Sequence, residues 1–77
     1  MTIKVYSTPT CPWCHKTKEF LKENKVKFED IDVSRDVKAA QEMVKKSGQM
    51  GVPVIDANGE IIVGFDERRL KEIIKSK

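Results

Sequence analysis

Two cysteines separated by two residues, in the stretch Cys11-Pro12-Trp13-Cys14, constrain this chain more than any other feature. They are its only cysteines, and a run of alternating polar and apolar residues, positions 2–6, comes shortly before them. This spacing brings two sulfurs together across one turn when the second cysteine lies in the first turn of a helix. Beside a strand–helix–strand pattern, such a pair is typical of a redox site.

Length and composition indicate one globular domain over residues 1–77. A chain of this size buries roughly 60% of its extended-chain surface, which allows a small core without cross-links. Hydrophobic residues make up 39% of the chain and charged residues 35%, a balance that argues against disorder. The net charge of +3 is spread over interspersed positive and negative residues, so we expect no nucleic-acid partner.

Targeting and membrane signals are not recognisable in the sequence. No stretch approaches the roughly 20 apolar residues of a membrane span, and the start lacks the apolar run of a signal peptide. We therefore expect a cytoplasmic monomer that does not contact a membrane. In that reducing compartment, a lone cysteine pair is more often catalytic or metal-binding than structural. A disulfide across so few residues would also stabilise the fold little.

Hydrophobic periodicity predicts seven elements in the order β-α-β-α-β-β-α. The predicted strands are Thr2–Tyr6, Val26–Val33, a strand entered through Gly51–Asp56, and Glu60–Val63. The predicted helices begin at Pro12, at a cap formed by Ser34 or Asp36, and at Gly64-Phe65-Asp66, and the second ends at Ser47-Gly48. The apolar side predicted for the second helix consists of Val37, Ala40, Met43 and Val44. The first two strands should be parallel because a helix joins them, and Asn58-Gly59 predicts a hairpin between the last two.

The chain resembles a glutaredoxin-type member of the thioredoxin fold through three motifs that occur in order. Cys11-Pro12-Trp13-Cys14 matches the Cys-Pro-aromatic-Cys site of that family, and Val52-Pro53 matches its Val-Pro, whose proline is cis. Gly64-Phe65-Asp66-Glu67 falls where the family has a Gly-x-Asp-Asp element. The resemblance implies an α/β thioredoxin fold with a four-stranded mixed sheet flanked by helices. It also implies the activity of a thiol–disulfide oxidoreductase.

Several positions depart from the family pattern where glutathione is bound. Thr8 stands where the family usually has Lys, and Gly51 stands where it has Thr before Val-Pro. Val63 replaces the first glycine of the Gly-Gly pair, and Glu67 replaces the second Asp. The pattern is similar to a subgroup of small glutaredoxin-like proteins for which a thioredoxin reductase-like enzyme is the candidate electron donor.

The two cysteines have different predicted roles. Cys11 lies at or just before a helix N-terminus, where the helix dipole and free N–H groups stabilise a thiolate, so we predict that it is the nucleophile. Cys14, one turn further, is expected to be more buried and to resolve the mixed disulfide. The structural alternative is half a zinc site, but zinc needs four ligands and only His15 stands nearby. We expect no bound metal.

The residues next to the cysteines have weaker predicted roles. Pro12 and Trp13 set the rigidity of the turn and cover one flank of the sulfurs, and partial exposure of Trp13 favours a contact with substrate. A core aromatic is the alternative for Trp13. His15 and Lys16 add positive potential near Cys11 or form an ordinary solvated helix face.

Two more segments are candidate substrate-binding sites. A cis peptide at Pro53, implied by the resemblance, frees the Val52 backbone to pair with an extended substrate. An ordinary proline at a strand start is the alternative. The N–H groups at Gly64, Phe65 and Asp66 suit a carboxylate such as that of glutathione, beside plain capping of the helix by Asp66.

Three hypotheses about the partners follow from these residues. In the first, the protein reduces disulfide-bearing proteins or glutathione mixed disulfides and is reduced again by glutathione or a thioredoxin reductase-like enzyme. In the second, it is a dedicated electron donor to one partner, such as ribonucleotide reductase. In the third, a dimer holds an iron–sulfur cluster through Cys11 thiolates and external glutathione. The first predicts no permanently bound cofactor, with glutathione as reductant or co-substrate.

Overall fold

The computed structural model describes residues 3–75 and contains the seven predicted elements in the predicted order. The strands are β1 (Ile3–Ser7), β2 (Glu29–Asp32), β3 (Val54–Ala57) and β4 (Glu60–Val63). The helices are α1 (Pro12–Glu23), α2 (Val37–Ser47) and α3 (Glu67–Lys75). Thr2, where the first strand was predicted to begin, lies outside the described residues.

The strands form one mixed sheet in the order β2-β1-β3-β4, as the predicted fold requires. β1 is parallel to β2 and antiparallel to β3, and β3 is antiparallel to β4. The turn between β3 and β4 places Asn58 at φ 54° and Gly59 at φ 98°. Both values lie in the left-handed region that an Asn-Gly hairpin turn uses, so the predicted hairpin is confirmed.

Helices cover both faces of the sheet. Alternate residues of β1 point to opposite faces, so Val5 packs in the cluster with α1 and α3 while Tyr6 packs in the cluster with α2. The first cluster centres on Ile3, Val5, Leu21, Ile55, Ile62, Leu70 and Ile73. The second centres on Tyr6, Ala39, Met43 and Val54. The sheet is therefore the middle layer of the fold, and the connecting loops lie at the ends of its strands.

The C-terminus of α1 explains why β2 is shorter than predicted. Lys25 adopts a left-handed conformation with φ 57°, and its N–H donates to the carbonyl of Lys22 at 3.0 Å. The N–H of Val26 donates to the carbonyl of Leu21 at 2.9 Å. These two bonds form a Schellman motif, in which Val26 packs against Leu21. Val26 is thus buried as part of the helix end, and the predicted strand 26–33 is wrong at its start, because pairing with β1 begins at Glu29.

The start of α2 settles one alternative and corrects one prediction. Asp36 is the cap, since its side chain accepts from the N–H of Ala39 at 3.0 Å. Ser34 instead bonds the side chain of Asp32 in the preceding turn. The prediction that Val37 faces the core is wrong, because its side chain is 72% exposed. The buried face of α2 runs through Ala39 and Met43.

A polar network that the sequence analysis missed connects α2 to the sheet. Nζ of Lys46 lies 2.7 Å from Oδ2 of Asp56 on β3, 3.0 Å from Oε1 of Glu42 and 3.1 Å from Oη of Tyr6. Burial opposes ionisation of Asp56, but hydrogen bonds from Lys46 and from the N–H of Gly59 outweigh it and hold the pKa of this carboxyl below its usual value. The hydrogen bonds of Lys46 with Asp56, Tyr6 and Glu42 raise the pKa of its ammonium, so the pair stays ionised at neutral pH.

Candidate active site

Three loops meet at one edge of the sheet and form the candidate site. β1 runs toward this edge and continues into the loop that carries Cys11. β3 is antiparallel to β1, so the segment that precedes it, Val52-Pro53, lies at the same edge. β4 is antiparallel to β3, so the residue that follows it, Gly64, returns there. The N–H of Gly64 donates to the carbonyl of Pro53 at 2.8 Å and joins the second and third loops.

Cys11 occupies the N-cap of α1. Its φ of −88° and ψ of 113° are extended, and its Sγ accepts the backbone N–H of Cys14 at 3.1 Å. Pro12 follows in the first turn of α1, where the N–H that proline lacks would have no helical partner. The Cys11 side chain is half-buried and therefore open to a substrate. A sulfur at this position lies beside the free N–H groups of a helix start and can accept hydrogen bonds from them.

Cys14 lies one turn into α1 and has no exposed surface. Burial raises the pKa of its thiol to about 11, and the hydrogen bond with Cys11 acts in the same direction. At neutral pH, Cys14 is therefore protonated. The predicted contrast in burial between the two cysteines is confirmed, and both are free thiols in this structure.

The peptide bond between Val52 and Pro53 is cis, as the resemblance implied. Pro53 is fully buried, whereas Val52 is only partly covered. The carbonyl oxygen of Val52 lies 3.9 Å from Sγ of Cys11. The backbone before Pro53 therefore borders the sulfur.

Three aromatic rings form a cluster along α1. The ring of Trp13 stacks on the ring of Phe65 with centroids 6.3 Å apart, and Phe65 meets Phe20 of α1 edge-to-face at 5.8 Å. Trp13 is 56% exposed, so the alternative of a core aromatic does not hold for it. Nζ of Lys16 lies 4.9 Å from the Trp13 centroid, which is the range of a cation–π contact.

The start of α3 differs slightly from the prediction. The helix begins at Glu67, and Asp66 is its cap, since its Oδ1 accepts the N–H of Arg69 at 3.2 Å. Gly64, at φ 79°, makes the left-handed turn that leads from β4 into this cap. Plain capping by Asp66 is thus confirmed. The acidic side chain of Glu67 stands in the first turn, 3.4 Å from Nζ of Lys71.

Two of the four positions that depart from the family pattern, Gly51 and Thr8, have structural surroundings of their own. The side chain of Gln49 bonds both backbone groups of Gly51, with Oε1 2.6 Å from its N and Nε2 2.9 Å from its O. A Cβ at position 51 would meet that Oε1 at 2.6 Å, so a threonine there would displace Gln49. Thr8 precedes the cysteines, and its carbonyl accepts the N–H of Cys11 at 3.4 Å. Sequence reasoning did not single out Gln49, because nothing in its local pattern marks it.

The exposed ring of His15 contacts the loop before Cys11. Its Nε2 donates to the carbonyl of Pro9 at 2.9 Å and so links the first turn of α1 to that loop. Among residues 3–75, no group of three or more His, Cys, Asp or Glu side chains is placed to hold a metal ion. No helix in the described part of the chain has the length and apolar character needed to cross a membrane.

Comparison with protein families and known sequences gives one consistent result. The family model described as "Glutaredoxin" matches residues 3–62. The chain is 52% identical over 73 residues to an uncharacterized glutaredoxin-like 8.6 kDa protein in the rubredoxin operon of Clostridium pasteurianum, a match that covers 95% of this chain and 97% of the relative.

Solved structures agree with the sequence matches. A mutant of the thioredoxin-like protein BC3987 superposes with a TM-score of 0.91 at 33% identity and covers 99% of this chain and 97% of the other. The glutaredoxin-like protein NrdH-redoxin from Escherichia coli, described as having a thioredoxin-like activity profile, has a TM-score of 0.85 at 29% identity, with 94% and 93% of the two chains covered. These neighbours confirm the predicted thioredoxin fold.

Proposed function

The chain belongs to the glutaredoxin family, and we propose that it is a thiol–disulfide oxidoreductase in which Cys11 attacks a disulfide and Cys14 resolves the intermediate. The observation that carries this proposal is the contrast between the two thiols. Cys11 is partly exposed at a helix cap and accepts an N–H, whereas Cys14 is fully buried with a raised pKa. A protonated, buried thiol is a poor nucleophile that a substrate disulfide cannot reach, so the partly exposed Cys11 attacks first.

The proposed reaction has two exchange steps. In the first, the Cys11 thiolate attacks one sulfur of the substrate disulfide, so a Cys11–substrate bond forms and the other substrate sulfur leaves as a thiolate. In the second, Cys14 loses its proton and attacks Cys11, so a bond between the two cysteines forms and the second substrate sulfur leaves. The substrate gains two electrons and the protein dithiol loses them. The 3.1 Å contact between Sγ of Cys11 and the N–H of Cys14 keeps the two residues close enough for the second step.

We propose disulfide-bearing proteins as the main substrates. Exposed apolar surface at Trp13, with Phe65 stacked on it, and the partly covered Val52 lie beside Cys11. Apolar surface beside a reactive group suits a protein surface better than a small charged peptide. The Val52 backbone, whose carbonyl borders Cys11, would add hydrogen bonds for an extended segment beside the attacked cysteine.

A thioredoxin reductase-like enzyme is the electron donor that we favour over glutathione. Thr8 supplies no positive charge for a glutathione carboxylate at the position where the family usually has Lys. The similarity to NrdH-redoxin, whose activity profile is described as thioredoxin-like, supports the same choice.

The similarity to NrdH-redoxin also supports our second candidate function, a dedicated electron donor to one partner such as ribonucleotide reductase. We propose the cytoplasm as the compartment, because dithiols are kept reduced there.

Substitution of the cysteines tests the mechanism. Cys11→Ser should abolish reduction of a protein disulfide, and Cys14→Ser should accumulate a mixed disulfide at Cys11 that mass spectrometry detects. Reductase activity that survives Cys11→Ser would refute the proposal.

Reduction of the oxidised protein tests the electron donor. A thioredoxin reductase should reduce it much faster than glutathione does, and Thr8→Lys should raise the rate with glutathione. Fast reduction of the wild type by glutathione alone would contradict our choice of donor and leave the dithiol mechanism intact.

A further inference from the structure

Lys18 lies on α1 at a position from which its charge reaches the buried thiol of Cys14. The two residues are four positions apart, so their side chains lie on one face of the helix. Helical side chains point back toward the N-terminus, so Lys18 extends over the turn that contains Cys14. Its side chain is only 17% exposed, although the sequence pattern places it among solvated charges.

An ion pair and a buried hydroxyl hold Lys18 in this position. Its Nζ lies 3.1 Å from Oδ2 of Asp30 on β2. The other carboxylate oxygen of Asp30 accepts the hydroxyl of Ser7 at 2.8 Å, and Ser7 is buried at the end of β1. A lysine that serves only solubility keeps its head group in water. Lys18 is instead held by Asp30 of β2, and Asp30 is in turn held by the hydroxyl of Ser7 on β1.

The resolving step gains from such a charge, because burial, the largest influence on Cys14, disfavours its thiolate. In the reduced protein the hydrogen bond with Cys11 raises the pKa of Cys14 further, but Cys11 carries no ionisable thiol once it is bonded to substrate. The backbone of Thr8, in the loop after β1, and the charge of Lys18 both lower it. The ionisable groups that face Cys14 are therefore Cys11 and Lys18, with Asp30 of β2 behind Lys18. Among them, Lys18 supplies the positive charge.

We propose that Lys18, held by Asp30 and Ser7, is the positioning residue that stabilises the developing Cys14 thiolate in the resolving step. The inference rests on the dithiol mechanism proposed above. In this step, the Cys14 thiol gives its proton to solvent and its sulfur bonds to Sγ of Cys11. The bond between Cys11 and the substrate sulfur breaks, and the substrate leaves as a thiolate. Lys18 forms no covalent bond and acts only through its charge.

The size of the effect follows from the chemistry of thiolates. Loss of the Lys18 charge raises the pKa of Cys14. For each unit of such a rise, the thiolate fraction at neutral pH falls about tenfold, while the nucleophilicity of the thiolate rises about threefold, since the Brønsted coefficient is about 0.4–0.5. We therefore expect Lys18→Met to slow the resolving step measurably, by up to about three- to fourfold.

Stopped-flow reaction of the reduced protein with dithiobis(nitrobenzoate) separates the two steps. Attack by Cys11 releases one coloured thiolate at a rate that depends on reagent concentration. Attack by Cys14 releases the second at a rate that does not. Failure of the wild type to release the second thiolate would refute the dithiol mechanism itself, whereas an unchanged second phase in the Lys18 variant would refute only the role of Lys18.

Three variants make the test specific. Lys18→Met should shift the pH profile of the second phase toward higher pH and slow it at neutral pH. Lys18→Arg, which keeps the charge, should restore the rate to within about twofold of the wild type. Lys22→Met removes the same charge from the next turn of α1, where the side chain is exposed, and should leave the second phase unchanged. A wild-type profile in Lys18→Met, or equal slowing in Lys22→Met, would overturn the proposal.

Discussion

Replacement of Lys46 by methionine should destabilise the fold by about 2 kcal/mol at neutral pH. The side chain of Asp56, 13% exposed, would lose the ammonium 2.7 Å away and keep only the N–H of Gly59 as a donor. Breaking a fully buried pair costs about 3–5 kcal/mol, and an exposed pair contributes about 0–1 kcal/mol. Lys46 is 28% exposed, so the pair lies between these limits. For a domain of this size, about 2 kcal/mol corresponds to a fall of about 8–16 °C in Tm.

The effect of Lys46→Met should also depend on pH. Since the pKa of Asp56 is held below its ordinary value in the folded state, its ionisation stabilises the fold above the unfolded pKa of 3.8. That contribution is lost as pH falls through the folded pKa. The difference in stability between wild type and variant should therefore be constant near neutral pH and shrink below about pH 4.

Urea unfolding followed by circular dichroism, repeated across this pH range, measures both effects. Lys71→Met is the matched control, because Lys71 pairs with Glu67 at 3.4 Å on a helix surface where both side chains are more than half exposed. It should cost less than about 0.5 kcal/mol. Equal destabilisation by the two variants would show that enclosure of the Lys46–Asp56 pair contributes nothing.

Other consequences of the structure can be checked with single substitutions. The folded pKa of Cys14 is raised to about 11 from 9.0, so its protonated thiol stabilises the fold below pH 9. As pH rises from 9 to 11, the free energy of unfolding of the wild type should fall by about 2–3 kcal/mol more than that of Cys14→Ala, as measured by urea titration. Met43→Ala should cost about 2–5 kcal/mol in the same assay, whereas Val37→Ala should cost less than about 0.5 kcal/mol; comparable costs would contradict the described face of α2. Trp13→Ala should slow reduction of a protein disulfide about tenfold and leave the reaction with dithiobis(nitrobenzoate) nearly unchanged, and equal slowing of both would indicate damage to Cys11 itself.

The order of the elements and the approximate helix starts could be predicted because local chemistry determines them. The Asn58-Gly59 turn needs two left-handed residues, Asp36 offers a carboxylate to a free N–H, and Pro12 suits a first helical turn. Each of these signals depends on a few adjacent residues. The resemblance added the cis peptide before Pro53, which periodicity alone does not indicate.

Features that depend on distant residues escaped prediction. The Lys46 network joins positions 6, 42, 46 and 56, and only the Glu42–Lys46 spacing of four residues is visible in the sequence. The early start of the second strand was predicted because Val26 continues an alternating pattern, while its N–H is in fact used by the end of α1. Lys18 resembles its solvated neighbours until Asp30 and Ser7 are placed beside it.

Alkylation of the reduced protein tests the assignment of the two thiols most directly. A small excess of iodoacetamide near neutral pH, followed by peptide mass spectrometry, identifies which sulfur reacts first. The contrast between a partly exposed Cys11 and a fully buried Cys14 with a pKa of about 11 predicts modification at Cys11 alone. Modification of Cys14 before Cys11, or at an equal rate, would contradict the proposed order of attack and resolution.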